Sequence, residues 1–262
     1  MRSTHSSDYQ RSPHLVLAMA KDYPAGHDIH PHRHERAQLV HAVSGVMRVT
    51  TEDGTWVVPT WRALWIPSGI THAIHMHGVV AMRTLYIEPG AALHLPPRCG
   101  VVEVPPLLRE LILAATAQAP DEPDQDGRHG LITALILREL ETVPSVPLHV
   151  PMPRDKRLAA ICAALAAEPE RADTLDEWAD RVGASRRTVA RRFRAETGMS
   201  FAAWRQQLRL VEALSRLAAG APVTLVAQDL GYDSPSAFAA MFRRSLGCAP
   251  SRYFEPATSA RP

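Results

Sequence analysis

Cysteine is scarce in this 262-residue sequence: Cys99, Cys162 and Cys248 are scattered and odd in number. They fit neither a disulfide framework nor a thiolate zinc site, and a reducing cytoplasm is the expected location. No apolar run approaches the roughly 20 residues that a membrane-spanning helix needs, so no membrane partner is expected. The opening MRSTHSSDYQRSPH lacks the apolar stretch of a secretory signal. There is no glycine-rich phosphate loop, and no Ser, His and Asp stand in a context that suggests nucleophilic catalysis, so no enzyme is expected. Histidine disappears after His149, although the chain holds 13.

What remains is uneven. The length suits two domains, and 46% hydrophobic residues suffice for sizeable cores. From Arg154 to Pro262 there are 17 Lys and Arg against 12 Asp and Glu, a net +5. From Met1 to Pro153 the balance is 12 against 15, a net −3. A basic half without histidine suggests an anionic partner such as nucleic acid. A histidine-rich half suggests ligand or metal chemistry.

Residues 15 to 90 carry short apolar runs punctuated by Pro and Gly, with Asp53-Gly54 as a hairpin signal. This predicts a barrel or sandwich. Helical spacing follows in Pro105 to Ala117 (Leu107, Leu108, Leu111, Ile112) and His129 to Thr142 (Leu131, Leu135, Ile136, Leu140), separated by the acidic loop APDEPDQDG. VPSVPLHVPMP, with four prolines, is expected to be a semi-rigid linker. The domains are therefore 1–98 (β sensing domain), 99–143 (helical segment), 144–153 (linker) and 154–262 (all helical).

Past Arg154 the sequence repeats. Ser185, Phe193-Arg194 and Gly198 return as Ser234, Phe242-Arg243 and Gly247, 49 residues later. Each unit reads as helix, glycine-containing turn, helix. Thr174 with Glu177 forms a capping box, Ser185 and Ser234 are N-caps, and Gly183, Gly198, Gly220, Gly231 and Gly247 mark helix ends. Ser200 to Ala219 reads as one connecting helix. In SRRTVARRFRAE, Val189 and Phe193 share a core face while Arg187 and Arg191 share an exposed one. Arginine there suits phosphate contact and bidentate guanine recognition. In SPSAFAAMFRRS the matching face is Ser236, Ala239 and Ala240, which offers little direct base readout, and Arg243 and Arg244 suit phosphate contact.

This text, SRRTVARRFRAETGMSFAAWRQQLRL followed by VAQDLGYDSPSAFAAMFRRSLGCAPSRYF, resembles the DNA-binding domain of the AraC/XylS family of bacterial transcription regulators. The resemblance implies two helix-turn-helix units joined by a long helix, entering successive major grooves about 34 Å apart. It maps base-contacting positions onto Arg187, Ala190 and Arg191, and onto Ser236, Ala239 and Ala240, with Ser185, Arg186 and Arg243 beside them.

The N-terminal histidines have a pattern of their own. Gly26, His32, His34, Gln38 and Gly45 resemble the first cupin motif, with Gln in place of the usual Glu. Pro67-Ser-Gly-Ile-Thr-His72 resembles the second, with Trp61 where its opening glycine belongs and Met76 where its asparagine belongs. His32 and His34 share a strand face, Gln38 has the same parity, and His72 is expected from a neighbouring strand. Three imidazoles and an amide oxygen suit a divalent transition metal: Zn, Ni, Fe or Mn. The alternative is that they hydrogen-bond a polar organic effector, or simply each other and water. Trp56, Trp65 and His75 are the expected pocket lining.

The expected fold is α+β with two domains, a cupin-like β-barrel with appended helices and an all-α double helix-turn-helix. The expected function is a sequence-specific DNA-binding transcription regulator whose cupin-like domain senses a small molecule or metal ion. Double-stranded DNA is the partner, with RNA polymerase as a second if the protein is an activator. By the family resemblance, the helices at 105–142 serve a homodimer. The rival readings are a metal-dependent cupin enzyme, such as a dioxygenase or isomerase, fused to a DNA-binding domain, and a cupin that only dimerises.

Overall fold

Two long antiparallel strands organise the first part of the chain. In the computed structural model, which describes residues 9, 10, 12, 14–117 and 127–254, these are β3 (Ala37–Thr51) and β6 (His72–Ile87). The N-terminal peptide and the acidic loop discussed above lie largely outside the described residues. Strands this long need a bend, and β3 and β6 slip register between Ala42 and Val46. Gly45 sits there with φ +76°, and a Cβ on it would meet the Val79 carbonyl oxygen at 2.5 Å. Only glycine fits.

The bend divides the sheet. One half runs β1 (Val16–Tyr23), β6, β3, β5 (Arg62–Ile66), β7 (Gly100–Glu103), β8 (Ser145–Val146). In the other half β2 (Asp28–His32) joins β6, and β4 (Gly54–Val58) joins β3 across the Asp53-Gly54 turn. Among the described residues no pairing returns β8 to β1, so the expected barrel is a folded-over sheet with an open path. β7 falls within the segment expected to be helical, and its pairing with β5 makes it part of this sheet.

Alternation assigns the two faces. Val16, Leu39, Trp65, Leu85 and Ile87 point one way and pack on Leu108 and Ile112 of α1 (Pro106–Ala117) and Ile132, Ile136 and Leu140 of α2 (Arg128–Thr142). Leu107, Leu131 and Leu135 were expected on the same apolar stripe, but they are 51%, 70% and 41% exposed. Helix geometry turns them about 100° off the buried row. Met19, Lys21 and Tyr23 of β1 and Met82 and Tyr86 of β6 point the other way and line a cavity.

The chain divides into two compact units, residues 1–51 with 56–148, and 52–55 with 149–262. Residues 144–153, expected as a linker, are largely paired backbone. β8 bonds to β7, β9 (His149–Pro151) pairs with β4, and Met152 N–H donates to the Asp53 carbonyl at 3.1 Å. Prolines serve at such edges because they lack the N–H that a central strand needs.

The second unit contains α3 (Lys156–Ala167), α4 (Leu175–Arg181), α5 (Arg186–Thr197), α6 (Phe201–Ala218), α7 (Val223–Asp229) and α8 (Pro235–Leu246). The Thr174–Glu177 capping box forms in both directions, and Ser185, Ser200 and Ser234 each cap the helix that follows. Gly198 and Gly247 end α5 and α8 in the left-handed conformation. Val189, Phe193 and Thr197 are buried on α5, and Phe238, Met241 and Phe242 on α8. α6 carries the buried Trp204, whose indole N–H donates to the Pro151 carbonyl at 2.7 Å. No helix among the described residues is long and apolar enough to cross a membrane.

Candidate functional sites: a histidine pocket and an arginine-faced helix

His32 ends β2 and lies directly across from His72, which begins β6; their ring centroids are 4.3 Å apart. His34 follows in the loop, 4.8 Å from His32 and 5.4 Å from His72 between ring centroids. One nitrogen from each ring falls within 4.8 Å of the others. The two sequence motifs meet here through backbone. Gly69 N–H donates to the His34 carbonyl at 2.9 Å, and the Ser68 hydroxyl donates to the Glu35 carbonyl. Trp61, where a glycine was expected, keeps the glycine-like backbone at φ +64°.

The ring protons are fixed by their partners. Nδ1 of His32 faces the His30 carbonyl at 2.8 Å, and Nδ1 of His72 faces the Ile70 carbonyl at 2.9 Å. A carbonyl only accepts, so each Nδ1 carries the proton and each Nε2 keeps its lone pair. Burial pushes the His34 and His72 imidazoles down to about 4, with neighbouring imidazoles adding to the effect. Both rings are therefore neutral at neutral pH, the form in which imidazole ligates metal. Among the described residues, the buried Nε2 atoms of His34 and His72 have no hydrogen-bond partner.

Gln38, on β3, is 3% exposed. Its Nε2 donates to the Thr84 hydroxyl at 3.0 Å, which fixes the amide, and its Oε1 is buried without a partner among the described residues. Gln38 and His32 both line a cavity of about 450 Å³, together with Met19, Lys21, Tyr23 and Tyr86. The Tyr86 ring stands edge-on to His34 at 5.0 Å. The structure thus gathers His32, His34 and His72, with Gln38 on the same cavity as His32.

The other expected lining residues stand elsewhere. Trp65 has odd parity on β5, faces α1 and α2, and donates its indole N–H to the Pro96 carbonyl at 2.8 Å. Trp56 is buried on β4 away from the cavity wall. His75 has opposite parity to His72 and turns outward, its Nδ1 2.7 Å from Asp28 Oδ1. Sequence reading missed Lys21, Tyr23 and Tyr86. The available signal was the alternation Met19, Lys21, Tyr23.

In the second unit, ion pairs sort the arginines of α5. Arg192 bonds Asp155 at 2.6 Å, and Glu196 accepts from the backbone N–H groups of Arg154 and Asp155 at 2.8 and 2.9 Å. This ties one side of α5 to the start of α3. Arg186 lies 3.7 Å from Asp176 at the surface. Ser185, Arg187, Ala190, Arg191 and Arg194 are exposed, and Arg187, Arg191 and Arg194 enter no ion pair among the described residues. On α8, Ser236, Ala240, Arg243 and Arg244 are exposed and Ala239 is half-buried.

A β-domain with a partly polar cavity, followed by paired helix-turn-helix units whose second helices both carry exposed arginines, defines a DNA-binding transcription regulator with a ligand-binding domain. Comparison with known proteins agrees. The AraC-like ligand binding domain matches residues 14–179 and a helix-turn-helix domain matches residues 178–255. The regulator NimR of Escherichia coli K12 is 35% identical over 265 residues, covering 100% of this chain and 96% of its own. The regulator RipA of Corynebacterium glutamicum is 36% identical over 113 residues, 43% of this chain and 33% of its own. Unsaturated fatty acid-bound ToxT from Vibrio cholerae aligns over 91% of this chain and 94% of its own, at 11% identity and a TM-score of 0.39. This chain belongs to the AraC family of helix-turn-helix transcriptional regulators.

Proposed function

We propose that this regulator binds double-stranded DNA through α5 and α8, and that a small molecule entering the N-terminal cavity changes that binding. In this reading His32, His34, His72 and Gln38 hold a divalent transition metal (Zn, Ni, Fe or Mn) as part of the sensing site. One observation carries it: His32, His34 and His72 each bring a ring nitrogen within 4.8 Å of the others, and the buried Nε2 atoms of His34 and His72 have no hydrogen-bond partner among the described residues. Each such atom left unpaired costs about 1–3 kcal/mol, a cost that a shared ligand removes. Neutral nitrogen donors suit the metals named. A bound ion there supplies a Lewis-acid centre for an effector's oxygen or nitrogen atoms. The effector shifts regulation only as far as it favours one arrangement of the protein over another. The exposed Leu107 of α1 and Leu131 and Leu135 of α2 offer apolar side chains to a second copy of the chain. Contact with RNA polymerase enters if the protein activates.

The test is elemental analysis of full-length protein beside His32→Ala/His34→Ala. The expected result is close to one metal ion per chain in the parent, lost in the variant, with DNA affinity unchanged. A parent that takes up none of Zn, Ni, Fe or Mn on reconstitution overturns the metal and leaves a cavity for an organic effector alone.

A further inference from the structure

The two helix-turn-helix units meet at one side chain of the helix that connects them. Arg205 and Arg209 lie one turn apart on α6 and share a face. Arg209 reaches the loop between α3 and α4. Its Nε donates to the Pro169 carbonyl at 2.9 Å, and its Nη2 donates to the Glu170 and Arg171 carbonyls at 3.4 and 3.3 Å. Arg205 Nη1 donates to the Asp173 carbonyl of the same loop at 3.0 Å. The loop is in turn fastened to α4, because the Asp173 carboxylate accepts from Arg181 Nη2 at 2.5 Å.

Arg209 also meets the second unit. Its guanidinium lies 5.6 Å from the ring centroid of Tyr232, in the turn before α8, and Tyr232 stands edge-on to the buried Phe238 of α8 at 5.4 Å. The backbones close up at the same place. A Cβ on Gly231 would stand 2.7 Å from the Glu170 carbonyl oxygen and 3.2 Å from Arg209 Nη2. Gly183 holds the matching turn of the first unit at φ +63°, near the +69° of Gly231, yet a Cβ there would meet nothing within 4 Å among the described residues. Both turns call for glycine, but only the second presses on a neighbour. The contact is therefore a property of the joint and not of the repeat. A guanidinium is planar and carries five donors, so it holds carbonyls and a ring in one fixed orientation.

We propose that Arg209 is a positioning residue for DNA recognition. By pinning the α3–α4 loop of the first unit to the Tyr232 turn of the second, it fixes the separation and rotation of α5 and α8. The regulator is thereby selective for the spacing of two major-groove segments. The proposal rests on the reading that both helices enter DNA, and it adds the residue that sets their spacing.

The test uses full-length protein and a duplex that it selects from random sequence, on which footprinting locates the two protected segments. A second duplex carries one added base pair between them, which shifts one segment by about 3.4 Å and turns it by about 35°. The parent is expected to bind the second duplex about a hundredfold more weakly. Arg209→Met keeps the stem and loses the fork. It is expected to bind the first duplex about tenfold more weakly than the parent, and to lose only about a further tenfold on insertion. Arg209→Lys, which keeps a charge beside Tyr232 but lacks the fork, is expected in between. A mere loss of stability lowers the active fraction equally for both duplexes and leaves their affinity ratio unchanged. A folded Arg209→Met with the parent's ratio overturns the proposal. Should it fail to fold, Arg209→Lys and Tyr232→Leu are judged by the same ratio. A parent that protects one segment, or that tolerates the insertion, overturns the two-helix reading and the proposal with it.

Discussion

The two helix-turn-helix units share a skeleton and differ in what they show to solvent. Ser185, Phe193 and Gly198 of the first match Ser234, Phe242 and Gly247 of the second, and in the structure each pair does the same work as cap, core and helix stop. The exposed positions between them diverge. Arg187 and Arg191 of α5 stand where α8 has Ser236 and Ala240, while Arg194 is matched by Arg243. Folding constraints have held the buried positions to one pattern, and the outward face has varied without them. The two units thus share a core pattern and differ in the face they show to solvent.

The largest effect tests the likeness. Phe193 is fully buried, with ring contacts to Phe201 at 5.6 Å and Trp204 at 5.8 Å. Phe242 is equally buried, against Phe238 at 5.8 Å and Tyr253 at 5.5 Å. Phe193→Ala and Phe242→Ala should each cost about 3–5 kcal/mol, measured by urea unfolding. If one variant loses stability and the other does not, the units are not equivalent in their cores.

That repeat was legible in the sequence because caps, glycine stops and helical spacing are local signals. The histidine cluster was legible for a related reason: strand alternation places His32 opposite a neighbour, and the Gly69 turn returns the chain to His34. Other features depended on distant pairings. The register slip at Gly45 and the parity of β5 decide that Trp65 faces α1 and α2 while Tyr86 faces the cavity, and neither can be read along one strand. The prolines of 144–153 suggested an extended spacer, yet β8 and β9 find edge partners there. Nothing local marks Lys21 either; its place on the cavity wall follows from the pairing of β1 with β6.

The next effect tests the difference. Arg187→Ala and Arg191→Ala should each cost about 1–3 kcal/mol of specific binding, with a smaller loss on random DNA. Ser236→Ala should leave the preference between operator and random DNA nearly unchanged. Competition binding at fixed salt measures both. Equal losses on operator and random DNA for the α5 variants would reduce those arginines to phosphate contacts and erase the contrast between the helices.

The smallest effect concerns the position where the helices agree. Arg243 is exposed near the end of α8, with no ion pair among the described residues, beside a face of Ser and Ala that has little to offer a base edge. An arginine so placed is suited to neutralise one phosphate, and each neutralised phosphate adds about 0.9 to the slope of log affinity against log salt. Arg243→Ala should therefore flatten that slope by about 1 and weaken operator and random DNA alike. If the variant instead changes sequence preference, α8 reads bases through its last turn, and the second unit contributes to recognition from a different part of its helix than the first.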